Sequence, residues 1–78
     1  MSDLVIHNVN ISYDESDERV RNFIVYLKNP DRKEEMRKYY EQARQNLEHK
    51  AYLTDKLGNE FTLVCGDGHN CTLRLRGM

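Results

Sequence analysis

Apolar and polar residues alternate most regularly between positions 60 and 76. Two β-prone runs, at 61–65 and 71–76, lie on either side of a segment that contains two glycines, and this order is typical of a β-hairpin. A two-residue loop of Asp67 and Gly68 would mix apolar and polar side chains on both faces. A loop with an odd number of residues avoids this, because opposed residues in an antiparallel pair share a face and side chains alternate with a period of two.

The odd-numbered loop predicts one apolar face and one mainly polar face. The apolar face comprises Phe61, Leu63, Cys65, Cys71, Leu73 and Leu75. The opposite face comprises Glu60, Thr62, Val64, Thr72, Arg74 and Arg76. We expect the apolar face to pack against the rest of the chain and the opposite face to remain free to meet a partner.

Two odd-numbered loops satisfy this arrangement of faces. A loop of residues 66–68 places a glycine at the left-handed position that a three-residue turn requires, and it opposes Leu63 to Cys71. A loop of residues 67–69 places a histidine there and opposes Cys65 to Cys71. We favour the first loop, because glycine adopts left-handed backbone angles without steric cost.

The segment Leu4–Ile11 is rich in β-branched residues, and Val5, Val9 and Ile11 share one parity. This pattern predicts a single N-terminal strand. We interpret His7, which lies within the run, as a partly exposed strand residue rather than a ligand.

The next apolar residues have helical spacing and predict a first helix. They lie three and four positions apart: Val20, Phe23, Ile24 and Leu27. Ser16, followed by two acidic residues, predicts the helix start, and Asn29 with Pro30 predicts its end. A strand over 19–28 is the alternative, because the sequence Phe-Ile-Val-Tyr-Leu is β-prone.

Pro30, capped by Asn29, opens a second predicted helix that runs to about Lys50. Its apolar residues again recur at three and four: Met36, Tyr39, Tyr40, Ala43 and Leu47. Residues 51–57 are predicted as a further strand. Extension of the second helix to residue 57 is the alternative, and it would give a helix far longer than the usual 11 or 12 residues.

These elements predict a single domain over 1–78 of the α+β class, with the order βααβββ. Two helices should cover one face of a small, mainly antiparallel sheet. The N-terminal strand should pair with the C-terminal strands.

Charge and composition narrow the choice of partner only slightly. The 78 residues include 12 basic and 13 acidic residues, so no net field selects nucleic acid or an anionic membrane. No apolar run approaches the roughly 20 residues of a membrane-spanning helix, and the first residues lack the pattern of a signal peptide. We therefore expect a cytoplasmic protein with no membrane partner, and two cysteines are too few for a secreted disulfide scaffold.

Cys65, His69 and Cys71 form the motif that most resembles a metal site. With either loop their side chains share a face near one turn, so they could converge on zinc. A structural zinc needs a fourth ligand, and the sequence offers no CxxC pair or second histidine cluster. We therefore predict that both cysteines are reduced core residues and that no metal or other cofactor binds. A small zinc-binding protein is the third functional hypothesis.

Catalytic motifs are missing from the sequence, so we expect no enzyme. A Cys-His pair at a hairpin tip lacks a third residue and an enclosed pocket, and the glycines match no phosphate-binding or dinucleotide pattern. The leading hypothesis is a small protein-binding or regulatory module. Its partner would be another protein, or a second copy of the chain in a homodimer. Its partner-binding residues would be Thr62, Val64, Thr72, Arg74 and Arg76.

A nucleic-acid-binding protein is the second hypothesis, because two short-linked helices followed by a hairpin match the element order of a winged helix-turn-helix. The contacts would be Arg32, Lys33, Arg37, Lys38 and Arg44 on the second helix, with Arg74 and Arg76 on the sheet. Five carboxylates lie among the six basic residues of that helix and lower the positive potential that a phosphate backbone would meet. A winged helix also usually has a third helix.

Overall fold

The computed structural model describes residues 2–66, 68 and 70–76 and shows the predicted α+β fold. Five strands form one sheet: β1 (Ser2–Ile6), β2 (Val9–Tyr13), β3 (Lys50–Thr54), β4 (Glu60–Cys65) and β5 (Asn70–Leu75). Two helices are present in these residues, α1 (Glu18–Lys28) and α2 (Lys33–Gln45), joined by a 3₁₀ turn at Pro30–Arg32. They pack on one face of the sheet and enclose the core with it.

The strand order across the sheet is β1-β2-β5-β4-β3. Neighbouring strands are antiparallel except β2 and β5, which run parallel with Ile11 beside Cys71. The predicted pairing of the N-terminal segment with the C-terminal strands is therefore confirmed.

The N-terminal segment is a β-hairpin, and the prediction of one strand over Leu4–Ile11 is wrong. His7 and Asn8 form a two-residue turn with φ values of 49° and 71°, and Ile6 lies opposite Val9. Two successive left-handed residues are the geometry that a tight hairpin turn requires, and His and Asn adopt it more readily than most residues. The His7 Nε2 atom lies 3.0 Å from the Leu27 carbonyl oxygen, which ties the turn to α1.

Helix α1 has the predicted position and buries the predicted residues: Val20, Phe23, Ile24 and Leu27. Its cap is Asp17 rather than Ser16, because an Asp17 carboxylate oxygen accepts the Arg19 N–H at 2.9 Å. The helix ends at Lys28, next to Asn29 and Pro30 as predicted.

Helix α2 ends at Gln45, five residues before the predicted end at Lys50. Asn46 has extended backbone angles, and its side-chain oxygen accepts the Glu48 N–H at 2.8 Å. Such a local side-chain bond competes with helical hydrogen bonding. Leu47 is therefore fully exposed, at 100%. The prediction that it belongs to the apolar stripe of the second helix is wrong.

The segment predicted as a strand over 51–57 forms β3 only as far as Thr54. Asp55 then caps a turn, because its carboxylate accepts the N–H groups of Leu57 and Asn59 at 2.9 and 2.8 Å. Gly58 has a φ of 86° in this turn, which a side chain would disfavour. Ala51 and Leu53 point into the core, so the period-two pattern of β3 is clear.

The C-terminal hairpin has the predicted faces but not the favoured register. Cys65 lies opposite Cys71, which is the register of the 67–69 loop, and the 66–68 loop that we favoured is wrong. The Gly66 N–H donates to the Asn70 carbonyl at 2.9 Å and closes the hairpin. Both registers share the same parity, so the two faces predicted from the sequence are nevertheless confirmed.

Candidate protein-binding surface

The sheet has an outer face, which we define as the face opposite the helices. Alternation along each strand places on it Thr62 and Val64 of β4 and Thr72 and Arg74 of β5. The three smaller side chains are half-buried between their neighbours, whereas Arg74 is exposed. Four of the five residues predicted to bind a partner thus lie together on one uncovered surface, and Arg76 follows at the end of β5.

Strand pairing arranges these residues in rows across the outer face. One row runs from Tyr52 on β3 through Thr62 to Arg74. Directly opposed side chains in an antiparallel pair lie about 5 Å apart at their Cβ atoms, so each row is one contact surface. We define the outer patch by these rows and the neighbouring arginine: Tyr52, Thr62, Val64, Thr72, Arg74 and Arg76.

Tyr52 is the member of the outer patch that sequence reasoning missed. Its side chain is 56% exposed, and the Arg76 guanidinium lies 4.9 Å from the centre of its ring. Arg76 also donates a hydrogen bond to the Glu60 carboxylate at 2.8 Å, so its guanidinium is held in place above the ring. The alternation of β3 predicts that Tyr52 points to the face opposite that of Ala51 and Leu53. The sequence does not indicate, however, which residues of β4 lie beside β3.

The charge on this half of the outer face is mainly positive. Across β3, β4 and β5 lie three cations, Lys50, Arg74 and Arg76. Glu60 pairs with Arg76 and Glu48 pairs with Lys50. Arg74 makes no ion pair with any residue that the structure describes. An exposed cation without an internal partner favours an acidic group on a binding partner.

The residues predicted to contact nucleic acid do not form one surface. Three of them, Lys33, Arg37 and Arg44, line a groove of about 550 Å³ between α2 and the N-terminal turn. Arg32 instead lies 4.8 Å from the centre of the Tyr26 ring, and Lys38 does not line the groove.

The groove itself is not strongly positive. Glu34 and Glu41 line it beside the basic residues, and the Arg37 Nε donates to Glu41 at 3.3 Å. Arg44 donates to the Tyr40 hydroxyl oxygen at 3.0 Å. The carboxylates of Glu34 and Glu41 lower the positive potential available to a phosphate backbone, whereas the neutral Tyr40 hydroxyl leaves the charge of Arg44 in place.

The two cysteines form a disulfide, so the prediction of free thiols is wrong. Their Cα atoms are 4.0 Å apart, because Cys65 and Cys71 occupy opposed positions that exchange no backbone hydrogen bonds, where side chains come closest. Both are buried, as predicted. Zinc binding requires thiolates, which these sulfur atoms do not supply while bonded to each other. His69 lies outside the described residues, and no group of three potential metal ligands occurs within those residues.

A second polar cluster connects the two helices. The hydroxyl groups of Tyr26 and Tyr39 both donate to the Glu35 carboxylate, at 2.7 and 2.8 Å. Burial and the hydrogen bond to Glu35 raise the pKa of Tyr39 to about 12. Burial alone would raise the pKa of Glu35, but the two hydroxyl donors together with the nearby charges of Arg32 and Lys38 outweigh it and lower that pKa. The cluster holds α1 and α2 together at the edge of the core.

Neither helix of the described residues has the length and apolar character needed to cross a membrane. No family model, no curated protein and no solved structure matches the chain.

Proposed function

We propose that the chain is a small, non-catalytic protein-binding module that recognises its partner through the outer patch and thereby has a regulatory role. The observation that supports this most is the arrangement of Tyr52 and Arg76, an exposed aromatic ring with a guanidinium held above it. Tyrosine and arginine are enriched among the residues that contribute most to protein interfaces. Association with a second copy of the chain is one form of this proposal.

The chemistry of the outer patch indicates the kind of surface it would bind. Val64 and the ring of Tyr52 provide apolar contact area between the threonines. Arg74 provides a cation that makes no ion pair with the described residues. The complementary surface would have apolar side chains at its centre and at least one carboxylate within reach of Arg74.

The proposal is tested with two sets of variants. Affinity capture from cell extract, followed by titration of the captured protein, should show binding reduced at least tenfold by Val64→Asp and by Arg74→Glu, the loss expected of residues central to an interface. The matched control combines Arg37→Ala and Arg44→Ala, which remove charge from the helix groove only. Equal loss in both sets would contradict a role for the outer patch. Sedimentation equilibrium of the pure chain measures self-association with the same variants.

Nucleic-acid binding is the second candidate, because the structure brings Lys33, Arg37 and Arg44 together in one groove. If that candidate is correct, affinity for duplex DNA or RNA falls steeply with salt, and each phosphate-contacting arginine that is removed reduces the slope by about one unit. We expect no micromolar binding at physiological salt. Such binding, abolished by Arg37→Ala with Arg44→Ala, would reverse the order of the two candidates.

A further inference from the structure

Strand β3 has an open edge. It is the last strand of the sheet, and the Cys65 N–H donates to the His49 carbonyl at 2.9 Å. Backbone groups in an antiparallel pair point alternately toward and away from the partner strand. The N–H and C=O groups of Lys50, Tyr52 and Thr54 therefore point away from β4, toward solvent.

Two depressions lie along this edge on the side of the helices. The first, of about 280 Å³, is lined by Phe23 and Tyr26 of α1 and by Leu57 after β3. The second, of about 400 Å³, is lined by Gln42 and Gln45 of α2 beside Ala51. One depression is thus mainly apolar and the other is rich in amides, and we call the edge together with both depressions the edge groove.

Exposed apolar side chains flank β3 on both sides in the sequence. Leu47 precedes β3 and is 100% exposed, and Leu57 follows it and is 84% exposed. Sheet edges are usually protected by proline, by several charged residues or by a bulge. Strand β3 contains no proline and only one charged residue, Lys50.

We propose that the edge groove binds an extended segment of another protein as a sixth, antiparallel strand. Such strand addition uses main-chain hydrogen bonds for affinity and alternate side chains for specificity. The side chain opposite Leu53 would enter the apolar depression, and the side chain opposite Ala51 would enter the amide-lined one. The inference rests on the proposed function only in that the ligand is a protein. It uses the backbone edge of β3 and the depressions beside the helices, and it shares with the outer face only Lys50 and Tyr52.

Charge indicates what the ends of the bound segment carry. Lys56 and Asp55 both line the apolar depression. The Asp55 carboxylate is occupied by the N–H groups of Leu57 and Asn59, whereas Lys56 makes no ion pair with any described residue. At the other end, the Lys50 ammonium group lies 3.4 Å from the exposed carboxylate of Glu48. Acidic residues at both ends of the segment would pair with these two lysines.

A second copy of β3 does not fit the edge groove. The side chains that it would have to insert are Ala51 and Leu53, and both are already buried in the core of their own copy. Both depressions would stay unfilled, and Lys56 would gain no acidic partner. The same features therefore favour a separate extended segment over self-association at this edge.

The probe is a synthetic peptide of this pattern, Glu-Leu-Thr-Asn-Glu, blocked at both ends and titrated to millimolar concentration into the isotopically labelled full chain. We expect saturable amide shifts and at least tenfold slower hydrogen exchange at Lys50, Tyr52 and Thr54. A control peptide with aspartate in place of leucine should give no such response. Shifts confined to β1, no saturable response in β3, or dimerisation through β3 without peptide would each overturn the proposal.

Variants of the chain sharpen the test. Tyr52→Pro removes an N–H group that points away from β4 and should abolish peptide binding. Val5→Pro, in the edge strand on the other side of the sheet, should leave peptide binding unchanged. Thermal unfolding confirms that each variant folds. Lys56→Glu should weaken binding about fivefold, and a peptide with lysine as its first residue should restore it. Unchanged binding in Lys56→Glu would refute the predicted orientation and the proposal with it. Binding through the outer patch is tested by partner capture with the Val64 and Arg74 variants, and binding at the edge groove is tested by peptide titration. A negative result in one experiment therefore does not affect the other.

Discussion

The ring of Phe23 on α1 lies flat against the ring of Phe61 on β4, with centroids 4.4 Å apart and ring planes 2° apart. Both side chains are buried, so this contact fixes where α1 crosses the sheet. Phe61→Ala should lower the free energy of unfolding by about 3–5 kcal/mol, because the cavity that it leaves adds to the loss of apolar burial. Phe61→Leu, which retains much of the volume, should cost less.

Urea unfolding of the two single alanine variants and the double variant tests this contact directly. A coupling of about 1 kcal/mol is expected for an aromatic pair beyond the area that it buries. If the losses in free energy of unfolding from the Phe23 and Phe61 alanine variants simply add in the double variant, the stacked geometry contributes no stability beyond the area that the rings bury.

The Cys65–Cys71 bond closes a loop of few residues, so we expect it to stabilise the chain modestly. Loop-closure entropy gives about 2 kcal/mol for a loop of this size. Urea unfolding with and without a dithiol reductant measures the difference. The matched control is the double variant Cys65→Ala with Cys71→Ala, whose midpoint should not respond to reductant; identical midpoints for the natural chain in both conditions would contradict the bond.

Adjacent residues of β4 provide a test of the two sheet faces. Leu63→Asp should cost more than about 4 kcal/mol, because it places a charge in the core without a partner. Thr62→Asp should be nearly neutral, since residue 62 lies on the outer face opposite Arg74. Chemical unfolding compares the two variants, and equal losses would mean that the faces are assigned incorrectly.

The hydroxyl group of Tyr39 should make stability depend on alkaline pH. Its pKa of about 12 in the folded chain exceeds the ordinary value of 10. A group whose pKa is raised by folding stabilises the chain below the unfolded value, and this contribution declines as pH rises above about 10 and is gone above about 12. In Tyr39→Phe the decline of the unfolding midpoint over that interval should be smaller, and an unchanged decline would exclude Tyr39 as its source.

The elements that the sequence predicts correctly are those with a strong local pattern. Apolar residues keep helical spacing from Val20 to Leu27, which favours a helix there over a strand. Apolar and polar residues alternate on either side of the C-terminal turn, which favours a hairpin with one apolar face. The outer-face position of Thr62 and Arg74 follows from parity alone, so four residues of the candidate surface could be placed without any tertiary information.

The features that were missed have weak or ambiguous local signals. His7 and Asn8 form a tight turn without the glycine that usually marks one. Asn46 ends α2 through a side-chain bond that no spacing pattern indicates. The two loops at 66–68 and 67–69 give the same faces, so parity could not choose between them, and the disulfide depends on that choice.

The parallel pairing of β2 with β5 has a consequence for how the chain folds. Each hairpin can form from neighbouring residues, but β1 and β2 reach β4 only through β5, and Ile11 and Cys71 are sixty positions apart along the chain. Closing so long a loop is slow compared with forming a hairpin, and it has to precede the burial that rewards it. The rate-limiting step should therefore be the docking of the β1–β2 hairpin on β5, and variants that weaken β5 should slow folding more than equally destabilising variants in β1.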